Sequence, residues 1–157
     1  MSRQKSQGFT LVEILIVVVI MAVLAAVVVP QFTGSTDDAK RSTAEFNLGS
    51  LRSVVQTFRA HHEGIKPSYS TVNKSIEGLL IETAADGTAG VGFGPYLVGM
   101  PDNPFTNVAT VVEFTATPAK PIPTAADVTA GNAGGWFYDK SIGNVWLDSN
   151  TQGEFAW

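Results

Sequence analysis

Glu13 raises the sharpest chemical question in this sequence, because it is the only charged side chain between Ser6 and Thr36. It lies within an apolar run of 21 residues, 9–29. A carboxylate inside a membrane-spanning helix costs about 3 kcal/mol on insertion scales, and such groups usually have a partner. The run itself contains no cation, so the sequence indicates that a partner for Glu13 comes from elsewhere.

A cut in the chain between Gly8 and Phe9 would create such a partner. The ordinary pKa of an α-amine is about 8, so the new amine at Phe9 would be largely protonated at neutral pH. It would lie about 6 Å from Glu13 along a helix axis, where a carboxylate also interacts favourably with the helix dipole. Between molecules, the same pair would set the axial register of a stack. The residues leave an alternative open, in which Glu13 lies near a helix end and reaches the membrane surface.

The apolar run has the length of a membrane-spanning helix. Twenty-one residues reach roughly 31 Å, close to the ~30 Å hydrocarbon thickness, whereas a lone strand would leave its backbone unpaired in lipid. Arg3 and Lys5 precede the run, and the positive-inside rule then predicts a cytoplasmic N-terminus and an outer location after Phe32. Two other interpretations remain open, a plain anchor and a secretory signal peptide cut near Ala25.

The segment Gly8-Phe9-Thr10-Leu11-Val12-Glu13, followed by the apolar run, resembles the class III signal of type IV pilins and type II secretion pseudopilins. The resemblance implies that residues 1–8 are a leader, removed after Gly8 by a prepilin peptidase. It also implies N-methylation of Phe9 and polymerisation through the N-terminal helix, with Glu13 facing a neighbour's N-terminus.

The same resemblance divides the rest of the chain. Residues 9–30 would be a transmembrane and filament-core helix, and residues 31–157 an extracytoplasmic, pilin-like domain. The protein would be a single-pass protein of the bacterial inner membrane, with a cytoplasmic N-terminus and a periplasmic domain. Its partners would be membrane lipid before assembly, further copies of itself, the prepilin peptidase, minor pseudopilins and an inner-membrane assembly platform with a separate ATPase.

The helix is expected to continue well beyond the apolar run. Pro30 lacks a backbone donor, so we expect the helix to bend or loosen there, and the resemblance gives this region a part in assembly. Further along, apolar residues recur at helical spacing: Ala44, Leu48, Leu51, Val55 and Phe58. Gly64 suits a left-handed helix cap, which predicts one helix over 9–63.

The rest of the chain predicts a small antiparallel sheet and thus an α+β fold. A short helix is expected within 71–83, a strand at 108–115, a hairpin with strands 135–139 and 144–148, and an edge strand at 154–157. We expect the sheet to cover the apolar stripe of the helix. Its aromatic core is predicted to be Phe137, Trp146 and Phe155.

A weaker resemblance extends into this part of the chain. Tyr96-Leu97 to Pro104-Phe105, followed by Gly135-Trp136 and a hairpin, is similar to the major pseudopilin of type II secretion. In that group a C-terminal loop commonly binds calcium, and the oxygen ligands available here are Asp139, Asp148 and Asn150. The longer Asp/Gly-rich loop of familiar members is missing.

Composition excludes disulfides, zinc sites built from Cys thiolates and catalysis by a Cys nucleophile. The sequence contains no Cys, and its net charge of −4 gives no reason to expect a nucleic-acid partner. His61 and His62 are adjacent on the predicted helix and point about 100° apart, which suits a helix end better than a metal. The Gly-rich stretch 87–94 lacks the Lys of a phosphate loop and is expected to be a flexible surface loop.

We therefore predict a structural filament subunit of a type II secretion pseudopilus that is not an enzyme. One alternative is a type IV pilin of a surface pilus. An alternative of another class is a membrane-anchored extracytoplasmic binding domain or enzyme. Beyond residue 63 the sequence has no His, so a catalytic triad would need His61 or His62.

Overall fold

The computed structural model describes residues 8–129, 134–150, 153 and 157, and for residues 30–33 it describes the backbone only. The chain divides into two compact units, Met1–Ala39 and Lys40–Trp157. The elements in chain order are α1 (Leu11–His61), α2 (Glu77–Leu80), β1 (Val111–Glu113), β2 (Trp136–Asp139) and β3 (Asn144–Leu147).

Helix α1 confirms the predicted long helix, with 51 residues. It runs through Pro30 without a break in its helical backbone. It ends where the sequence predicts, because Glu63 and Gly64 adopt φ angles of 53° and 90° and turn the chain out of the helix. Gly64 N donates to Arg59 O at 2.8 Å, which satisfies a carbonyl of the last turn.

The second part of α1 packs as its periodicity predicts. Its five-residue apolar stripe is between 0% and 3% exposed. The stripe joins one core with residues at or just before α2 and with residues on the inner face of the sheet, namely Ile76, Leu79, Val111, Trp136, Tyr138, Val145 and Leu147. The predicted helix in 71–83 is only four residues long, and the rest of that segment forms turns.

The sheet is mixed, which corrects the predicted antiparallel arrangement. Its order is β1-β2-β3, and β2 and β3 form the predicted antiparallel hairpin, with Trp136 opposite Leu147 and Asp139 opposite Asn144. Strand β1, however, pairs parallel to β2, with Val111 opposite Trp136. Parallel pairing needs a crossover of about a dozen residues or more, and the connection 114–135 is long enough to provide one.

Two of the predicted aromatic core residues, Phe137 and Trp146, are buried, and they belong to a second core cluster. Side chains alternate along a strand, so Trp136 and Tyr138 face the helix while Phe137 faces away from it. Phe137, Trp146 and Phe114 form a second cluster on the outer face. Phe155 and the predicted edge strand lie outside the described residues except for Trp157, which packs against the helix-side core.

The Gly-rich stretch 87–94 is folded back on the preceding segment. Thr83 N donates to Phe93 O at 2.9 Å, and Phe93 N donates to Thr83 O at 3.0 Å. The stretch lies at the surface, as expected, and its two ends are tied by backbone hydrogen bonds.

Candidate functional site

The first turn of α1 is closed by a reciprocal pair of side chains, Thr10 and Glu13. Thr10 N and Thr10 Oγ1 each donate to Glu13 Oε2 at 2.8 Å, and Glu13 N donates to Thr10 Oγ1 at 3.2 Å. This is a capping box, in which an N-cap Thr and a Glu three residues later satisfy each other's backbone donors. The pair explains why the helix begins at Leu11.

The capping box corrects the argument that Glu13 lacks a partner within its own chain. The sequence carries the pattern of a capping box, a Thr followed three residues later by a Glu, which the prediction used only within the resemblance. Both donors that Thr10 offers to Glu13 are neutral, and no cation contacts the carboxylate among the residues that the structure describes. Thr10 and Glu13 are exposed, and the carboxylate is open to a cation from another molecule.

The predicted cleavage point lies directly ahead of this capping box. Gly8 and Phe9 precede the helix, and both are exposed. A Cβ built on Gly8 would meet no atom within 4 Å, and the Phe9 side chain is 84% exposed. The bond between them therefore lies in a non-helical, open segment, the kind of backbone that a peptidase can engage.

The first stretch of α1 presents an apolar surface on all sides. Its large apolar side chains between Phe9 and Val29 are 44% to 84% exposed. Among the described residues, α1 is the one helix long and apolar enough to cross a membrane. A continuous apolar surface of this size needs a cover of lipid or of other apolar surfaces.

Two of the three predicted calcium ligands, Asp139 and Asp148, lie at opposite ends of the hairpin. Asp139 lies at the turn end of the hairpin and Asp148 one residue beyond its open end, so about 13 Å of strand separates them. Both carboxylates accept hydrogen bonds from the chain itself. The described residues contain no group of three or more His, Asp or Glu side chains placed to hold a metal. Calcium binding stays a prediction.

The two adjacent histidines have separate partners within the fold. His62 is buried, and its Nδ1 and Nε2 lie 2.8 Å from Phe58 O and 2.9 Å from Thr83 Oγ1. His61 Nδ1 lies 2.9 Å from the hydroxyl of Tyr96. Both rings therefore belong to the packing at the end of α1.

Comparison with known proteins identifies a known motif in the segment that contains the first turn of α1. Residues 3–29 match the family model described as the prokaryotic N-terminal methylation motif. The type II secretion system core protein G of Escherichia coli K12 is 31% identical over 109 residues, which cover 68% of this chain and 71% of that protein. The chain belongs to this pilin-like family. The family is structural rather than enzymatic.

Other relatives match a shorter part of the chain. Core protein G of Klebsiella michiganensis is 34% identical over 80 residues, which cover 51% of this chain and 54% of that protein. The type IV narrow pilus major component of Thermus thermophilus is 34% identical over 74 residues, which cover 47% of this chain and 63% of that protein. The match thus spans about half the length of the Klebsiella relative. No solved structure gives a significant match.

Proposed function

We propose that this pilin-like chain is a filament subunit of a type II secretion pseudopilus, cut after Gly8 by a prepilin peptidase and N-methylated on Phe9. One observation carries the proposal: an open Gly8–Phe9 junction leads directly into a capped helix whose apolar surface has no cover. Cleavage would place a cationic amine near the exposed carboxylate of Glu13.

Before assembly, residues 9–30 would lie in the bacterial inner membrane. Arg3 and Lys5 would keep the leader, residues 1–8, in the cytoplasm, and residues 31–157 would lie in the periplasm. Lipid would then cover the apolar surface of the helix. This arrangement stores the subunit with its polymerising surface already folded, because α1 satisfies its own backbone hydrogen bonds in lipid.

In the filament, the apolar helices would cover one another. Lipid tails and packed apolar side chains are similar environments. Burial alone therefore does not determine how far one helix is shifted along its neighbour. The Phe9 amine of one subunit beside Glu13 of the next would fix it, because the pair can form only at one register. A buried ion pair often contributes little net energy, so its main effect would be on register. The capping box would support this pairing by holding the carboxylate at the helix start.

The chain contains no nucleotide-binding motif, so the energy for assembly would come from a separate ATPase. The further partners would be the prepilin peptidase, an inner-membrane assembly platform and minor pseudopilins that begin the filament.

A second candidate is the pilin of a surface type IV pilus. It is favoured by the match over 74 residues with the Thermus narrow pilus component. The two functions differ in whether the filament extends beyond the cell surface or stays within the periplasm. Electron microscopy of cells expressing the protein at its native level would show surface filaments for a pilus and none for a pseudopilus confined to the periplasm.

The decisive test is intact-mass spectrometry of the protein purified from membranes. We expect a mature chain that begins at methylated Phe9. The Gly8→Asp variant should remain an uncut precursor, because the residue before the cut would no longer be Gly. Gly34→Asp is the matched control, since an added Cβ there also meets open space, and it should be processed normally. Recovery of a wild-type protein that still carries residues 1–8 would overturn the proposal.

A further inference from the structure

The outer face of the sheet is covered by a segment that we call the strap, residues 116–129. Ala116 and Val128 of the strap pack on the outer cluster of Phe114, Phe137 and Trp146. Between them, Lys120 forms an ion pair with Asp127 and lies 5.9 Å above the Phe114 ring. Both faces of this small sheet are therefore buried, one under α1 and one under the strap.

The start of the strap is tied to Asp139. Ala116 N donates to Asp139 Oδ2 at 2.5 Å. The other oxygen, Oδ1, accepts from Ser141 N at 2.7 Å and from Ser141 Oγ at 2.5 Å, which closes the turn of the hairpin. Asp139 is 1% exposed, and both oxygens of its carboxylate accept hydrogen bonds from its own chain.

The end of the strap is tied to Asp148. Thr129 N donates to Asp148 Oδ1 at 2.7 Å, and Thr129 Oγ1 donates to Oδ2. Asp148 is fully buried, and Gly134 lies so close to its carboxylate that any side chain at that position would collide with it. Burial raises the pKa of Asp148, and the Thr129 hydrogen bonds act in the opposite direction.

This arrangement does not suit a shared calcium ion. Calcium takes six to eight oxygen ligands at about 2.3–2.6 Å, so two carboxylates on one ion lie within about 5 Å of each other. The two acids are instead separated by the length of the hairpin. Each also accepts hydrogen bonds from N–H or O–H donors, whose positive ends repel a cation.

From these contacts we propose that Asp139 and Asp148 are the two end anchors of the strap and that they hold it without a metal ion. The direct hydrogen bonds take the place that a metal would have in the C-terminal region of the major pseudopilin. The proposal concerns the folded unit Lys40–Trp157 and is independent of the processing and assembly proposed above.

Hydrogen exchange of the full-length protein in detergent tests this directly. The amides of Ala116 and Thr129 should exchange at the same rates with excess EDTA and with millimolar calcium, and the melting temperature should be equal in both. The Thr129→Val variant keeps the shape of the side chain and removes its hydroxyl. We expect exchange across the strap to be about tenfold faster in this variant, after correction for intrinsic rates, because a hydrogen bond to a charged group is lost.

Thr115→Val is the matched control, because Thr115 is exposed and directly precedes the strap. The amides of the strap should exchange at the wild-type rates in the Thr115→Val variant. The proposal is wrong if EDTA accelerates strap exchange and calcium reverses the effect, or if Thr129→Val leaves strap exchange unchanged. The chelator comparison uses the wild-type chain, so it gives an answer even if the variant folds poorly.

Discussion

The two stretches of α1 contain similar apolar residues, but their surroundings differ completely. Leu15, in the first stretch, is 56% exposed, whereas Leu51, in the second, is 1% exposed. The first stretch is apolar on every side, and the second restricts its apolar residues to one stripe. The comparison shows that an all-round apolar surface must be covered by something outside the subunit, while a stripe is covered by the subunit's own sheet.

The polar groups differ in the same way. In the second stretch, Glu45 forms an exposed ion pair with Arg41 at 3.1 Å, four residues away on the same helix. In the first, Glu13 accepts hydrogen bonds only from Thr10, and its charge has no cation in the described structure. Under the proposed function Glu13 meets the amine of a neighbouring subunit, whereas Glu45 is part of an ordinary solvated face.

The largest effect of a substitution is expected at Glu13 in the first stretch of α1. The Glu13→Ala variant should be processed normally but should raise the concentration needed for filament formation by about a hundredfold or more. The physical reason is that the neighbour's amine would be buried without a counter-ion, at a cost of about 3–5 kcal/mol. Filament yield after sedimentation and electron microscopy measures the effect. Glu45→Ala is the control and should assemble like the wild type, and normal filaments from Glu13→Ala would contradict the register argument.

A matched pair of leucines tests the two kinds of apolar surface. Leu51→Ala should lower the free energy of unfolding by about 2–5 kcal/mol, because it leaves a cavity in the core. Leu15→Ala should change it by less than about 0.5 kcal/mol, since the side chain is exposed in the subunit. Denaturation of the detergent-solubilised protein, followed by the fluorescence of the buried Trp136, compares the two. Equal losses would mean that Leu15 is packed within the subunit.

The smallest effect is expected at the helix cap. Thr10→Ala removes the hydroxyl of the capping box and should destabilise the first turn by about 1 kcal/mol. The amides of Glu13 and Ile14, which donate to Thr10, should then exchange roughly fivefold faster, because that is the factor corresponding to 1 kcal/mol. Thr10→Ser keeps the hydroxyl and should exchange at the wild-type rate. If Thr10→Ala also kept the wild-type rate, the capping box would contribute nothing to the helix start.

Local patterns in the sequence predicted the helical part of the molecule. The spacing of Leu48, Leu51 and Val55 identified the buried stripe, and Gly64 identified the helix end. These features depend on residues within one or two turns of each other, so they can be recognised without knowing the rest of the fold. The capping box of Thr10 and Glu13 is equally local, so the sequence could have predicted it in the same way.

The sheet was harder to predict because strand alternation gave no clear signal. All four residues of β2, from Trp136 to Asp139, are buried, since the helix covers one face and the strap covers the other. A strand buried on both faces shows no contrast between apolar and polar positions. The face that meets the helix therefore could not be identified from the strand alone.

The sequence alone determined the apolar run, the Gly8–Phe9 junction, the acid within that run and the helix that carries them, because these depend on neighbours along the chain. The tertiary structure alone decided the parallel pairing of β1, the face occupied by each aromatic side chain and the separate roles of Asp139 and Asp148. The physical reason is that these features require contacts between segments far apart in sequence. Such contacts are set by how the whole unit packs.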